Sequence, residues 1–288
     1  MLLQTDFVKD WHTELQRIME QEWAMDLSQV PAHDLAALFF HAMRRRIEPR
    51  PRIIKLSTSF SCPAPHASGW ASLRRKIEDG NDLSPHLSLQ IEKVMAKDPL
   101  LFDWGIYHLH LGESAHPNNG NFVERTGPVL FGFPTKEIFH AIGIYEHGAW
   151  SDSSVIETLH SNWPELTTGA KLHGVASLTG NYTDEDRAKL RAAGVNLITP
   201  LSDGTFITAL GGGYSTNGIS TSGVRAADRE EDKIRGIQDQ IHVASLELEQ
   251  ALKVEGYDGT QTVVAHLNFA SGNCWISFEG FNLTFDVE

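Results

Sequence analysis

The chain has only two cysteines, Cys62 and Cys274, far apart and outside any CxxC pair. That excludes a disulfide framework and a cysteine-based zinc site. There is no run of the roughly 18 apolar residues that a bilayer-spanning helix needs. The opening stretch, MLLQTDFVKDWHTELQRIMEQEW, meets acids early and has no basic leader before an apolar core. Neither a membrane span nor a secretory signal is expected, and the cytoplasm is the expected compartment. Positive charge is also scarce, with 24 Lys and Arg against 37 Asp and Glu, a net charge of −13. Indiscriminate nucleic-acid binding does not fit that balance, because neutralising phosphates takes clustered cations. No GxSxG motif occurs, and no glycine-rich segment carries the Lys of a P-loop or the GxGxxG spacing.

The chain does have length and an apolar fraction of 41%, enough for a sizeable core, and its 288 residues predict two domains. Its cations are unevenly spread. Between residues 44 and 76, Arg44, Arg45, Arg46, Arg50, Arg52, Lys55, Arg74, Arg75 and Lys76 stand against one acid, Glu48, a local charge of +8. These nine are the candidate nucleic-acid contacts. The plainer reading lets the Arg triplet close a helix at the negative end of its dipole and leaves the other cations in water.

Apolar spacing predicts two helices in residues 1–49, through Phe7, Trp11, Leu15 and Ile18 and then Leu35, Leu38, Phe39 and Met43, ended by Pro49 and Pro51. RIIKLSTSF reads as a short strand. GWASLRRKIED reads as a helix stopped at Gly80, and LSPHLSLQIEKVM as another, with Ser84 at the N-cap and Pro85 at the first helical position. Three strands follow, GIYHLHLG, GPVLFGF and EIFHAIGIYEH, at spacings that suit an antiparallel meander, and then a helix near 153–162. Residues 50–166 thus predict an α+β domain whose helices cover one face of a small antiparallel sheet. Residues 167–288 predict a second, α/β domain. It contains a capped helix from Thr183 to Gly194, two short strands about Ser202-Asp203-Gly204, a long helix near 224–253 and a closing β-hairpin turned at 271–273. The fold class is α+β.

The chemistry is most visible in WGIYHLHLG. Alternation in a strand puts His108 and His110 on one face and Tyr107, Leu109 and Leu111 on the other. Consecutive pairing would bring Arg125, ahead of the second strand, and His147, at the end of the third, toward the same end of the sheet. A proton acceptor, a proton donor and a fixed cation are what phosphoryl-transfer chemistry requires. Strict alternation groups His147 with Tyr145, Gly143 and Phe139, and turns Ile142 and Ile144 away.

The succession HLHLG, an Arg leading GPVLFGF, and EIFHAIGIYEHG resembles the C-terminal half of small RelE/HigB-type toxins, bacterial RNases that cut messenger RNA without a metal. The resemblance covers residues 104–148. It implies a curved sheet with an RNA-facing side, Arg125 as the phosphate-stabilising cation, and His147 or a histidine of the pair as acid or base, with no cofactor. His110 and Pro128 depart from the pattern, and those toxins are short and basic whereas this chain is long and acidic.

Two other readings of the histidines stay open: solvated strand residues, or two imidazole ligands of a metal completed by His147, His116 or Asp152. GGGYSTNG, at 211–218, reads as a connection rather than a phosphate cradle. The expected activity is therefore metal-independent RNA cleavage of a toxin or defence type. Its rivals are a non-enzymatic interaction subunit, binding a protein partner through the acidic C-terminal domain, and a metal-dependent hydrolase.

Overall fold

The computed structural model describes every residue except 179, 181, 271 and 288. The chain runs β1 (Leu2–Thr5), α1 (Phe7–Arg17), α2 (Leu35–Arg44), β2 (Ile53–Leu56), α3 (Ala67–Asp79) and α4 (Pro99–Trp104). It continues β3 (Tyr107–His110), β4 (Ala115–His116), β5 (Asn119–Val123), β6 (Pro128–Pro134), β7 (Ile138–Glu146), α5 (Ser153–Asn162), α6 (Pro164–Thr167) and α7 (Asp184–Ala192). Then come β8 (Thr199–Pro200), β9 (Phe206–Ile207), α8 (Thr221–Val243), α9 (Ser245–Val254), β10 (Thr262–Ala270), β11 (Asn273–Phe278) and β12 (Thr284–Val287). The fold is α+β, and among the described residues no helix is long and apolar enough to cross a membrane.

The chain forms two compact units, one of Met1–Phe40 with Gly223–Glu288 and one of His41–Ser222. The expected division into 1–49, 50–166 and 167–288 does not coincide with them. In the first unit, β1 pairs in parallel with β10, in a sheet of order β1-β10-β11-β12. Helix α1 lies on that sheet, buries Phe7, Trp11 and Leu15, and accepts the Leu267 N–H on Asp10 at 2.8 Å. The chain's two ends thus share one core, and a pairing across about 260 residues leaves no local pattern to read. The expected closing hairpin gains a third strand, β12, and residue 271 of its turn lies outside the described residues.

The second unit is built on a sheet of order β2-β7-β6-β3. The three meander strands pair antiparallel as their spacing predicts, and β2 adds to β7 in parallel. Helices cover both faces rather than one, because β6 and β7 are apolar on both. Leu109, Leu130, Phe139 and Ala141 pack with Trp70, Leu73 and Ile77 of α3. Val129, Phe131 and Ile142 pack with Val155, Ile156 and Leu159 of α5. That second layer also takes in Ala170, Leu201 and Ile207, so residues beyond 166 complete the same core.

The segment expected as a helix from Ser84 forms two 3-10 turns, Ser84–His86 and Leu89–Glu92, with Leu87 extended between them. A helix hands its carbonyls to N–H groups four residues on. Here the carbonyls of Leu83, Ser84, Ser88 and Gln90 accept from N–H groups three residues on, and guanidinium groups reach others. Arg125 donates to the carbonyls of Pro85 and Leu87, and Arg45 to those of Gln90 and Val94. Asp98-Pro99, a pair that by itself reads equally as a stop to the segment before it, starts α4, with Asp98 accepting the Leu101 N–H and Pro99 in the first turn.

Residues 211–213 close on the end of α4. Gly211 donates to the Asp103 carbonyl and Gly213 to that of Phe102, so these amides are not presented to a phosphate. A Cβ on Gly211 would meet the Leu101 carbonyl oxygen at 1.9 Å, which forces the backbones apart. Gly211→Ala is expected to destabilise the protein by about 1–3 kcal/mol, the usual cost of overpacking a close contact, read from urea unfolding. An unchanged unfolding midpoint would remove this account of the loop.

Candidate functional site

The two histidines of β3 stand opposite apolar partners of β6, His108 against Phe131 and His110 against Val129. Across β6 the same face continues through Tyr145 and Gly143 of β7. The register shifts at Phe131/Gly132, which skips Ile142 as a β-bulge. The expected alternation is therefore corrected on one side of the bulge: Ile142 packs in the layer with Val129, and Phe139 in the opposite layer with Leu109. Beyond the strand, the His147 N–H donates to the Gly127 carbonyl at 2.8 Å, which keeps His147 on the histidine face. The rings of His110 and His147 lie 5.8 Å apart and those of His108 and His110 6.3 Å apart.

All three imidazoles and Arg125 line one cavity of about 380 Å³. Its walls also include the 87–91 segment, Asp98 at the start of α4, and Trp150. The indole lies 4.5 Å from the His108 ring and 5.0 Å from that of His147, centroid to centroid. Trp150 is itself held from behind: Arg191 of α7 donates to its carbonyl. The same guanidinium pairs with buried Asp103 at 2.7 Å and lies 4.0 Å above the Trp104 ring.

The surroundings of the two histidines favour opposite tautomers. His110 accepts the Thr126 N–H on Nδ1 at 3.1 Å, so its proton sits on Nε2. Burial, with Arg125 adding to it, pushes its pKa down to about 3, and it is neutral at pH 7. His108 turns Nδ1 toward Asp98 Oδ2 at 3.6 Å and makes no hydrogen bond there, but the nearby negative charge favours the ring proton on that side. Its Nε2 then carries the lone pair. Burial lowers the His108 pKa and Asp98 opposes the shift. One neutral imidazole is thus poised as an acceptor and its neighbour as a donor. His147 is exposed at the rim.

Arg125 combines two tasks. It donates to the carbonyls of Leu87, Pro85 and Val123, and no carboxylate among the described residues lies within salt-bridge distance of it. It is therefore a cation fixed in place and not neutralised.

The expected nucleic-acid strip needs correction. Arg45 and Arg52 are buried, and Arg52 donates to the carbonyls of Thr135, Glu48 and Arg50. Arg46 donates to the Ala42 carbonyl, and burial lowers its pKa to about 10. Arg74 pairs with Glu78, Arg50 with Glu48, and Lys76 donates to His86. Lys55 and Arg75 are exposed and Arg44 half-buried, but nine cations do not make one continuous face.

Among the described residues no group of three or more His, Cys, Asp or Glu side chains is arranged to hold a metal ion. Of the expected third ligands, His116 accepts the Asn118 N–H and Asp152 caps α5. Asp98, Trp150 and Arg191 join the site without any catalytic pattern in the sequence around them. For Asp98 a signal existed, since an Asp directly before Pro is a helix-start pattern as well as a stop. No family model matches the chain, and comparison with curated proteins and with solved structures finds no match either.

Two further buried histidines brace this unit. His86 accepts from Lys76 on Nε2 and donates from Nδ1 to the His110 carbonyl at 2.8 Å, and burial lowers its pKa to about 4. His41 donates to the Ala96 carbonyl and accepts the Ser220 N–H, with its pKa likewise lowered by burial to about 4. With His110 they take up protons on unfolding below the ordinary value near 6.5. Stability is therefore full above about pH 6.5 and falls toward pH 4, by up to about 1.4 kcal/mol per pH unit for each histidine. Urea midpoints should drop steeply from pH 7 to pH 5, and a flat profile would contradict the neutral assignment of all three.

Proposed function

We propose that the protein cleaves RNA by metal-independent acid–base catalysis in the cavity of His108, His110, Arg125 and His147. One observation carries the reading: four residues from three separate segments converge on one cavity in complementary chemical states. In the reaction, His108 Nε2 accepts the proton of a ribose 2′-hydroxyl. The 2′-oxygen bonds to phosphorus, the bond from phosphorus to the 5′-oxygen breaks, and the leaving oxygen takes a proton from His147, which exchanges with water at the rim. The products are a 2′,3′-cyclic phosphate and a 5′-hydroxyl. His110, which had been a candidate acid, is held neutral and instead donates a hydrogen bond from Nε2 to a phosphoryl oxygen. Arg125 supplies fixed positive charge to the same oxygens. The looser likeness of residues 104–148 to metal-free toxin RNases points the same way.

The reading is tested with single-stranded RNA in excess chelator, following the cyclic phosphate end. His108→Ala and His147→Ala should each lower kcat by about 10²–10⁴-fold, the usual range for loss of a general acid or base. The acid limb of the pH–rate profile should lie below pH 6.5, because burial lowers the pKa of His108. RNA left intact by the wild-type protein over hours would refute cleavage. It would favour an interaction subunit instead, for which Val243, Leu246 and Val254, apolar and exposed on α8 and α9, offer a surface.

A further inference from the structure

The cavity's size, charge and lining also bear on how much RNA it takes. Its volume of about 380 Å³ falls near the lower end of small-molecule sites, about 300–1,000 Å³. A nucleotide fits such a space, and a helical RNA segment does not. The lining cations Arg45, Lys97 and Arg125 outnumber the single carboxylate, Asp98, so the cavity is positive within an acidic chain. That charge does not extend into a track. Arg52 is buried, and Arg74 and Arg50 are paired with acids. Leu87, Ile91 and Tyr107, all buried, give it apolar lining, and Trp150 supplies an aromatic wall beside the imidazoles.

We propose that the cavity receives one nucleotide drawn out of a single strand, its phosphate toward Arg125 and its base against Trp150 and the apolar lining. The protein then reads a single dinucleotide step and makes little use of the strand beyond it. Base stacking of this kind tolerates any sequence, while paired bases are denied access. The inference rests on the RNA-cleavage reading for its substrate, and its test separates the two.

The probes are the dinucleotide adenylyl(3′→5′)uridine, a 20-nucleotide single strand containing that step, the same strand in duplex form, and adenosine 3′-monophosphate. The dinucleotide should be cleaved with kcat/KM within about 10-fold of the single strand, and the duplex at least about 100-fold more slowly. Only one or two phosphates are engaged, so log kcat/KM for the single strand should fall with log salt no more steeply than about −1.4. Trp150→Leu should raise KM by about 10–100-fold, the scale of one lost stacking contact. The salt slope does not depend on whether that variant folds. Cleavage of the 20-mer with a slope steeper than about −3, or a dinucleotide more than 100-fold poorer, would overturn the single-nucleotide inference and leave the cleavage reading standing. If neither RNA is cut, the cleavage reading fails, and calorimetry with adenosine 3′-monophosphate decides the cavity's specificity: no binding overturns the inference as well.

Discussion

The cavity exists because two guanidinium groups hold a segment of backbone out of a helix. Residues 83–95 have a helix's start at Ser84-Pro85, yet Arg45 and Arg125 reach the carbonyls of Pro85, Leu87, Gln90 and Val94. Hydrogen bonds to charged donors contribute about 1.5–3 kcal/mol each, more than the few tenths by which helix propensity separates most residues. Several such bonds outweigh the local preference. The loosened segment becomes the wall that faces β3, and without it the two histidines would look onto solvent or onto a packed helix. Both arginines line the cavity they create, so the same groups set its shape and its charge.

The opposite side depends on a second charged arrangement. Asp103 at the end of α4 receives Arg191, with Arg187 3.5 Å away, all buried, so two cations share one carboxylate beside the Trp104 ring. Arg191 passes that constraint on through the Trp150 carbonyl, and Trp150 in turn fixes the planes of His108 and His147. Removing one member of a buried ion pair usually costs about 3–5 kcal/mol, because the partner charge stays stranded. A network of this stiffness suits a site in which imidazole orientation decides which nitrogen carries the proton. The chain from Lys76 through His86 to the His110 carbonyl does the same for the strand's backbone.

Much of the local structure was legible. Helices α1, α2, α3, α5 and α7 follow apolar periodicity and their caps, and α7 has the reciprocal Thr183–Asp186 capping box. The meander was readable from strand lengths and turn residues, and period-two alternation put His108 and His110 on one face. The misreadings share a cause. The wall segment 84–96, the boundary near 167 and the basic strip of 44–76 each depended on which distant group a side chain or strand would meet. Arg45 and Arg52 have the same local signature as the exposed Lys55 and Arg75, and only burial separates a carbonyl staple from a surface charge.

By itself, then, the sequence determined the α+β character, the places where most helices start and stop, and the pairing of two imidazoles on one strand face, because each follows from steric and periodic rules that act within a few residues. Tertiary structure decided the rest. It joined the chain's two ends through the parallel pairing of β1 with β10, brought His147 and Arg125 to the histidine pair, and added Asp98 and Trp150 to them. It also set His108 and His110 in surroundings that favour opposite tautomers, a carboxylate near one Nδ1 and a backbone N–H on the other, and those groups lie 10 and 16 residues away in the chain.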